Sequence, residues 1–234
     1  MSTVLLVRHG LTLLTGPVLA GRTPQIHLDD RGRAQALAVA ARISVLPLTA
    51  IVTSPLERCV ETAEAIREAQ LADGREPRWE VDERLIECGY GDWTGRPLKE
   101  LMKEPLWKVV QAQPSAVRFP GGESITEMSV RSVAAVRDWD ARLGPDAVWV
   151  ACTHGDVIKA IVADALGLHL DHYQRIVPDP CSVSIIRYTD TRPYVMRTND
   201  VGGDLAAFTP PKRKGRRGRA SDATVGGGAG TGQV

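Results

Sequence analysis

Five side chains in this sequence could act together on one substrate atom: Arg8, His9, Arg58, Glu87 and His154. Arginine offers planar, permanently charged donors that match phosphate oxygens. Histidine is a nitrogen nucleophile when its ring is neutral, and neighbouring guanidinium charges disfavour the cationic ring. A second histidine can donate to the phosphoryl oxygens as charge shifts in the transition state. A carboxyl group can protonate a leaving alkoxide and then act as base toward water. Two histidines and a carboxylate can also hold a transition metal. Two arginines oppose that reading, because like charges about 4 Å apart cost roughly 4 kcal/mol per elementary charge at an effective dielectric near 20. The set therefore suits metal-free chemistry on a phosphoryl group.

The elements around these residues share a pattern. Val4–Val7 is a short apolar strand that runs into Arg8-His9-Gly10. Ala50–Thr53 is a second strand, followed by Ser54-Pro55-Leu56-Glu57, where Ser54 is the expected N-cap and Glu57 closes a capping box. Arg58 then falls in the first helical turn, off the stripe of Leu56, Cys59, Val60, Ala63 and Ile66. Ala147–Cys152 is a buried strand that ends at Thr153-His154-Gly155. Glu87 lies in a glycine-rich loop after a strand at Arg78–Val81. If these strands are parallel neighbours, their C-terminal ends form one cleft, where open α/β sheets bind ligands.

The remaining elements fill in an α/β pattern. A helix with an Asp N-cap is expected to end near Ser44, with Ala34, Leu37, Ala38, Ala41 and Val45 on its inner face. Leu98–Gln111 reads as a helix that Pro105 breaks or offsets. Ser124-Ile125-Thr126-Glu127 is a capping box opening a helix with Ile125, Met128, Val136, Trp139 and Leu143 on one face. Val157–Leu166 is a helix capped by Gly167. Two last strands, at 181–188 and 194–198, close a hairpin. The expected fold is a three-layer α/β/α sandwich with a mostly parallel central sheet and an antiparallel edge strand.

The chain has 234 residues, of which 43% are hydrophobic and 24% charged, as in globular proteins. It shows no membrane-length apolar run and no signal-peptide pattern, and its four cysteines have no paired spacing. A cytoplasmic protein with reduced thiols is expected. The net charge is +1, but Lys212, Arg213, Lys214, Arg216, Arg217 and Arg219 face one acid, Asp222, after residue 210. Without this stretch the body carries 23 basic and 27 acidic residues, a net charge of −4. Residues 1–200 are expected to form one domain and residues 201–234 a disordered, basic, glycine-rich tail. Nucleic-acid contact by that tail is the lesser reading, because no aromatic residues interleave the cluster. His27, His169, His172 and Cys88 lack the strand-end placement and read as surface or structural residues.

With these residues in place, the sequence resembles the histidine phosphatase (phosphoglycerate mutase-like) superfamily. The resemblance rests on Leu6-Val7-Arg8-His9-Gly10-Leu11-Thr12, Ser54-Pro55-Leu56-Glu57-Arg58, Glu87-Cys88-Gly89-Tyr90-Gly91-Asp92-Trp93, Phe119-Pro120-Gly121-Gly122-Glu123-Ser124 and Thr153-His154-Gly155. It spans about residues 3 to 198. It implies that His9 is transiently phosphorylated, that Arg8, Arg58 and His154 bind the phosphoryl group, and that Glu87 is the proton donor. It implies no metal or organic cofactor, and a small-molecule phosphate ester as the partner. The Gly91-Asp92-Trp93-Thr94-Gly95 stretch resembles the phosphatase branch. A phosphoglycerate-type mutase and a catalytically weak phospho-ligand binder are the alternatives.

This sequence departs from the family pattern in the loop after His9. Thr15 stands where many members carry Asn, and it can still donate one hydrogen bond. Leu11, Leu13 and Leu14 make the loop apolar, and Pro24 replaces a common Asp. Gly21, Arg22 and Leu14 are the expected substrate contacts; Arg22 can reach a substrate anion or face solvent. The oligomeric state is open.

Overall fold

The structure is a computed structural model that describes residues 1–203 and Gly226. The expected tail therefore lies outside the described residues, apart from 201–203 and Gly226. Six strands form one sheet: β1 (Ser2–Arg8), β2 (Ala50–Thr53), β3 (Arg78–Val81), β4 (Val148–Thr153), β5 (Val183–Tyr188) and β6 (Pro193–Asp200). Their order is β3-β2-β4-β1-β5-β6. The first four are parallel, β5 runs antiparallel to β1, and β6 pairs antiparallel with β5 at the edge. The reversed strand is thus β5, one place inside the edge.

The central strands are buried on both faces and alternate between two cores, because successive side chains in a strand point to opposite sides. Leu5, Val7, Ile51, Val150 and Cys152 face α1 (Asp30–Ile43) and α2 (Glu57–Ala72). Val4, Leu6, Val52, Trp149 and Ala151 face α5 (Ile125–Leu143) and α6 (Gly155–Ala165). Between β3 and α5 lie the short helices α3 (Leu98–Leu101) and α4 (Pro105–Ala112). Pro105 occupies the first turn of α4, where its missing N–H costs nothing, so it starts a second helix instead of bending a long one.

Local sequence explains most helix ends. Asp29 accepts from Gly32 N at 2.7 Å and caps α1. Ser124 and Glu127 form the expected capping box on α5. Two expectations are corrected. The buried face of α1 is Gly32, Ala36, Val39, Ala40 and Ile43, whereas Leu37 and Val45 are exposed. Alanine is spread around this helix, so two stripes share the helical period, and contact at Gly32 decides between them. Gly32 lies under Leu11: a Cβ there would stand 2.0 Å from the Leu11 carbonyl oxygen. Gly32→Ala is accordingly expected to lower the unfolding free energy by about 2–3 kcal/mol, measured by urea denaturation, because the clash is with backbone that cannot rotate away. The second correction concerns α2. It begins at Glu57 with Leu56 as N-cap and no side-chain cap; the Ser54 hydroxyl accepts from Leu56 N at 3.4 Å and bonds His154 Nε2 more closely.

Candidate active site

Strand register brings the reacting groups together. Arg8 pairs with Thr153 across β1 and β4, so His9 and His154 follow side by side, and His9 N donates to Thr153 O at 3.0 Å. Thr53 pairs with Cys152, which places Ser54 at the same end of the sheet. Arg8, His9, Arg58, Glu87, Thr15 and Gly21 line one recess there. His154 lies beneath it, fully buried, with its ring centroid 5.3 Å from that of His9.

The hydrogen bonds assign the histidine tautomers. His9 Nδ1 lies 2.7 Å from Gly10 O, and a carbonyl only accepts, so Nδ1 carries the proton. Its Nε2 is therefore the lone-pair nitrogen, and Arg58 Nε donates to it at 3.3 Å. Burial, then the Arg58 and Arg8 charges, pushes the His9 imidazole well below the ordinary histidine range. Burial and Arg58 do the same to His154. Both rings are neutral at physiological pH. Ser54 Oγ lies 2.7 Å from His154 Nε2, and Arg58 Nη2 lies 3.3 Å from His154 Nδ1.

Arg58 is held by its surroundings and keeps one donor uncommitted. Its Nη2 donates to Gly21 O at 2.7 Å. Its Nη1 is buried and makes no hydrogen bond among the described residues. An uncompensated buried donor costs about 1–3 kcal/mol, and one beside a lone-pair nitrogen is positioned to take an anionic oxygen. Arg8 is 1% exposed and donates to Pro178 O at 2.9 Å. The cationic groups are thus fixed before any ligand arrives, which is how preorganised electrostatic stabilisation works.

Glu87 sits across the recess with Oε1 accepting from Cys88 N at 2.9 Å. Burial, reinforced by the nearby Asp156 charge, pushes its carboxyl up to about 7. It therefore carries a proton over much of the neutral range, as a general acid must. Its backbone is clamped as well: Glu87 O accepts from Arg22 Nε at 2.8 Å and from Arg131 Nη2 at 3.1 Å.

Two of the expected substrate contacts stand outside the residues that line the recess. Arg22 does not line the recess; Glu123 and the Glu87 carbonyl hold its guanidinium. Leu14 does not line it either, and Leu11 is buried while Leu13 is exposed. The apolar wall comes instead from Val18, Leu19 and Leu98. Gly21 lines the recess but also anchors Arg58 through its carbonyl. Thr15 lines it, with its hydroxyl 2.9 Å from that of Thr12. His27 pairs with Glu61 and His169 with Asp171, outside the site. Cys88 is buried, which pushes its thiol well up. Among the described residues no group of three His, Cys, Asp or Glu side chains could hold a metal ion, and no helix is long and apolar enough to cross a membrane.

The family model of the histidine phosphatase superfamily, branch 1, matches residues 4–201. The chain belongs to this superfamily. Its relatives include phosphoserine phosphatase 1 of Hydrogenobacter thermophilus, 29% identical over 74% of this chain and 80% of that protein. A probable phosphoglycerate mutase, GpmB, of Cronobacter sakazakii is 32% identical over 80% of this chain and 86% of its own length. Among solved structures, a mycobacterial glucosyl-3-phosphoglycerate phosphatase superposes with a TM-score of 0.75 at 25% identity, covering 85% of this chain and 99% of that one. Bacillus stearothermophilus YhfR gives 0.75 at 29% identity, covering 86% and 98%.

In this histidine phosphatase, sequence reasoning did not identify Ser54 as a site residue, because its place before Pro55 reads as a helix cap. Its position at a strand end, matching that of His9 and His154, was the available signal. Among the described residues, Ser54→Ala leaves buried His154 Nε2 with only the Cys59 sulfur, 3.4 Å away and a weak partner. The expected result is a roughly tenfold fall in kcat/KM, equal to ~1.4 kcal/mol of transition-state stabilisation, in steady-state assays.

Proposed function

We propose that this chain is a metal-independent phosphomonoesterase that hydrolyses a small phosphorylated metabolite through a phosphohistidine at His9. The observation that carries this reading is the His9 Nε2 lone pair facing Arg58, whose buried Nη1 is uncommitted among the described residues. In the first step His9 Nε2 forms a bond to phosphorus and the bond from phosphorus to the ester oxygen breaks. Glu87 gives its proton to that oxygen, so the alcohol leaves neutral. Arg8, Arg58 and His154 hold the non-bridging oxygens. In the second step water attacks the phosphohistidine, the Glu87 carboxylate takes its proton, and the P–N bond breaks to release phosphate. His9 and Glu87 return to their starting states.

Relatives named as phosphatases of phosphoserine and glucosyl-3-phosphoglycerate support a small metabolite as substrate. The recess pairs its cationic floor with an apolar wall at Val18, Leu19 and Leu98, which fits a compact ester. A panel of phosphoserine, phosphoglycerates, sugar phosphates and nucleoside monophosphates, assayed for phosphate release with chelator present, tests this. Hydrolysis of at least one class in chelator is the expected result, and activity that needs added metal would contradict it. The GpmB relatives favour a second reading, transfer to another hydroxyl in place of water. Conversion of 3-phosphoglycerate to 2-phosphoglycerate with a bisphosphoglycerate primer, faster than phosphate release, would favour the mutase.

A further inference from the structure

Asp156 is a buried carboxylate that the reaction above does not use. It lies in the first turn of α6, two residues after His154, and is 1% exposed. Its oxygens have separate partners. Lys159 Nζ donates to Oδ1 at 3.0 Å. The Tyr90 hydroxyl donates to Oδ2 at 2.8 Å, and Gly226 N donates to the same oxygen at 3.1 Å. Lys159 itself is 2% exposed, donates to Gln174 Oε1 at 2.9 Å and stands over the Tyr173 ring at 5.6 Å. A buried ion pair is rarely more stabilising than apolar side chains of similar volume, so fold stability alone is a weak reason for this cluster. Tyr90 supplies a stronger one. It follows Glu87 by three residues on the same loop, and its ring lines the recess.

We propose that Asp156 is a positioning residue for the acid–base step: through Tyr90 it ties the Glu87 loop to the helix that begins at His154, and it supplies the anion that opposes the two site arginines. This rests on the proposed phosphatase chemistry. Three charged groups from other elements act on Glu87: Arg8 from β1, Arg58 from α2 and Asp156 from α6. The guanidinium groups pull toward the carboxylate. Burial, and after it the Asp156 charge, pulls the other way. Asp156 in turn is faced by Lys159 on its own helix, by Tyr90 on the loop, and by Arg8 and Tyr173 across the site. Tyr90 and Tyr173 are both held well above the ordinary tyrosine range and stay neutral. One carboxylate thus acts on both the geometry and the protonation of the acid.

The test compares wild type with Asp156→Asn on an alkyl ester that wild type hydrolyses and on p-nitrophenyl phosphate, whose leaving group departs without a proton. The amide keeps an acceptor for Tyr90 and removes the charge. For the alkyl ester, the alkaline limb of kcat/KM is expected to move down by roughly one pH unit, with about tenfold lower kcat above pH 7 and little change in KM. The p-nitrophenyl ester is expected to change far less. Equal losses on both esters with an unmoved alkaline limb would overturn the inference. Tyr90→Phe covers the case in which Asp156→Asn does not fold. It keeps the charge and cuts the tie, so kcat is expected to fall more on the alkyl ester while the alkaline limb stays. Wild-type rates in Tyr90→Phe, or an equal fall on both esters, would overturn the inference. If wild type hydrolyses neither ester and forms no phosphohistidine, the phosphatase reading itself fails and takes this inference with it.

Discussion

His9→Ala is expected to lower kcat/KM for every ester the enzyme hydrolyses by on the order of 10⁴-fold or more, as removal of a covalent nucleophile does. The loss should fall on kcat and not on KM, since the proposed phosphoryl-binding groups Arg8, Arg58 and His154 are unchanged. It should come without unfolding. The His9 backbone, which bonds to Thr153 O, is untouched by the substitution. The imidazole contributes hydrogen bonds only to Gly10 O and Arg58 among the described residues. Steady-state kinetics on the ester panel, with circular dichroism as the control for folding, checks the outcome. Residual turnover within tenfold of wild type would mean that water attacks phosphorus directly.

Glu87→Gln is the second large effect. A positioned general acid contributes roughly 10²–10⁴-fold, so kcat for alkyl esters is expected to fall by about that factor, and much less for p-nitrophenyl phosphate. The pH profile should change in shape as well as height. With the Glu87 carboxyl at about 7, wild-type kcat/KM is expected to decline as pH rises through that value. The glutamine variant should lose this limb. His9 must be neutral to attack, and its ring is held well below the ordinary histidine range, so the acid limb is expected below pH 6.5. Stability carries the same signature. The folded carboxyl binds its proton more tightly than an unfolded glutamate of ordinary value 4.5. The stability linked to this proton is complete below about pH 4.5 and is lost as pH rises through about 7. Glu87→Gln cannot ionise, so its melting temperature relative to wild type should rise between pH 5 and pH 8. A constant difference over that range would show that Glu87 titrates normally.

The legible parts of the fold were those fixed by local chemistry. The apolar runs of β1 and β4, the Ser124 capping box and Pro105 at a helix start each follow from a few adjacent residues. The site was legible for the same reason. Arg8, His9 and His154 stand at strand ends, and a parallel sheet brings strand ends together. What stayed hidden depends on partners distant in sequence. Arg22 is held by Glu123, 101 residues later, and does not line the recess. Ser54 bonds His154, 100 residues away, more closely than it bonds its own helix start. The inner face of α1 could not be read from an alanine-rich period; it is set by Leu11 pressing on Gly32. Asp156 carries no local signal of a role, because its tie is to Tyr90, 66 residues earlier.

The central claim is that the phosphoryl group rests on His9 between two displacements. Rapid quench during turnover of an ester carrying radiolabelled phosphate, with chelator present, followed by peptide mapping under alkaline conditions, tests it most directly. Acid-labile, alkali-stable label on the His9 peptide, appearing at least as fast as kcat and absent in His9→Ala, is the expected result. Steady phosphate release with no label on His9 at any time during turnover would contradict it.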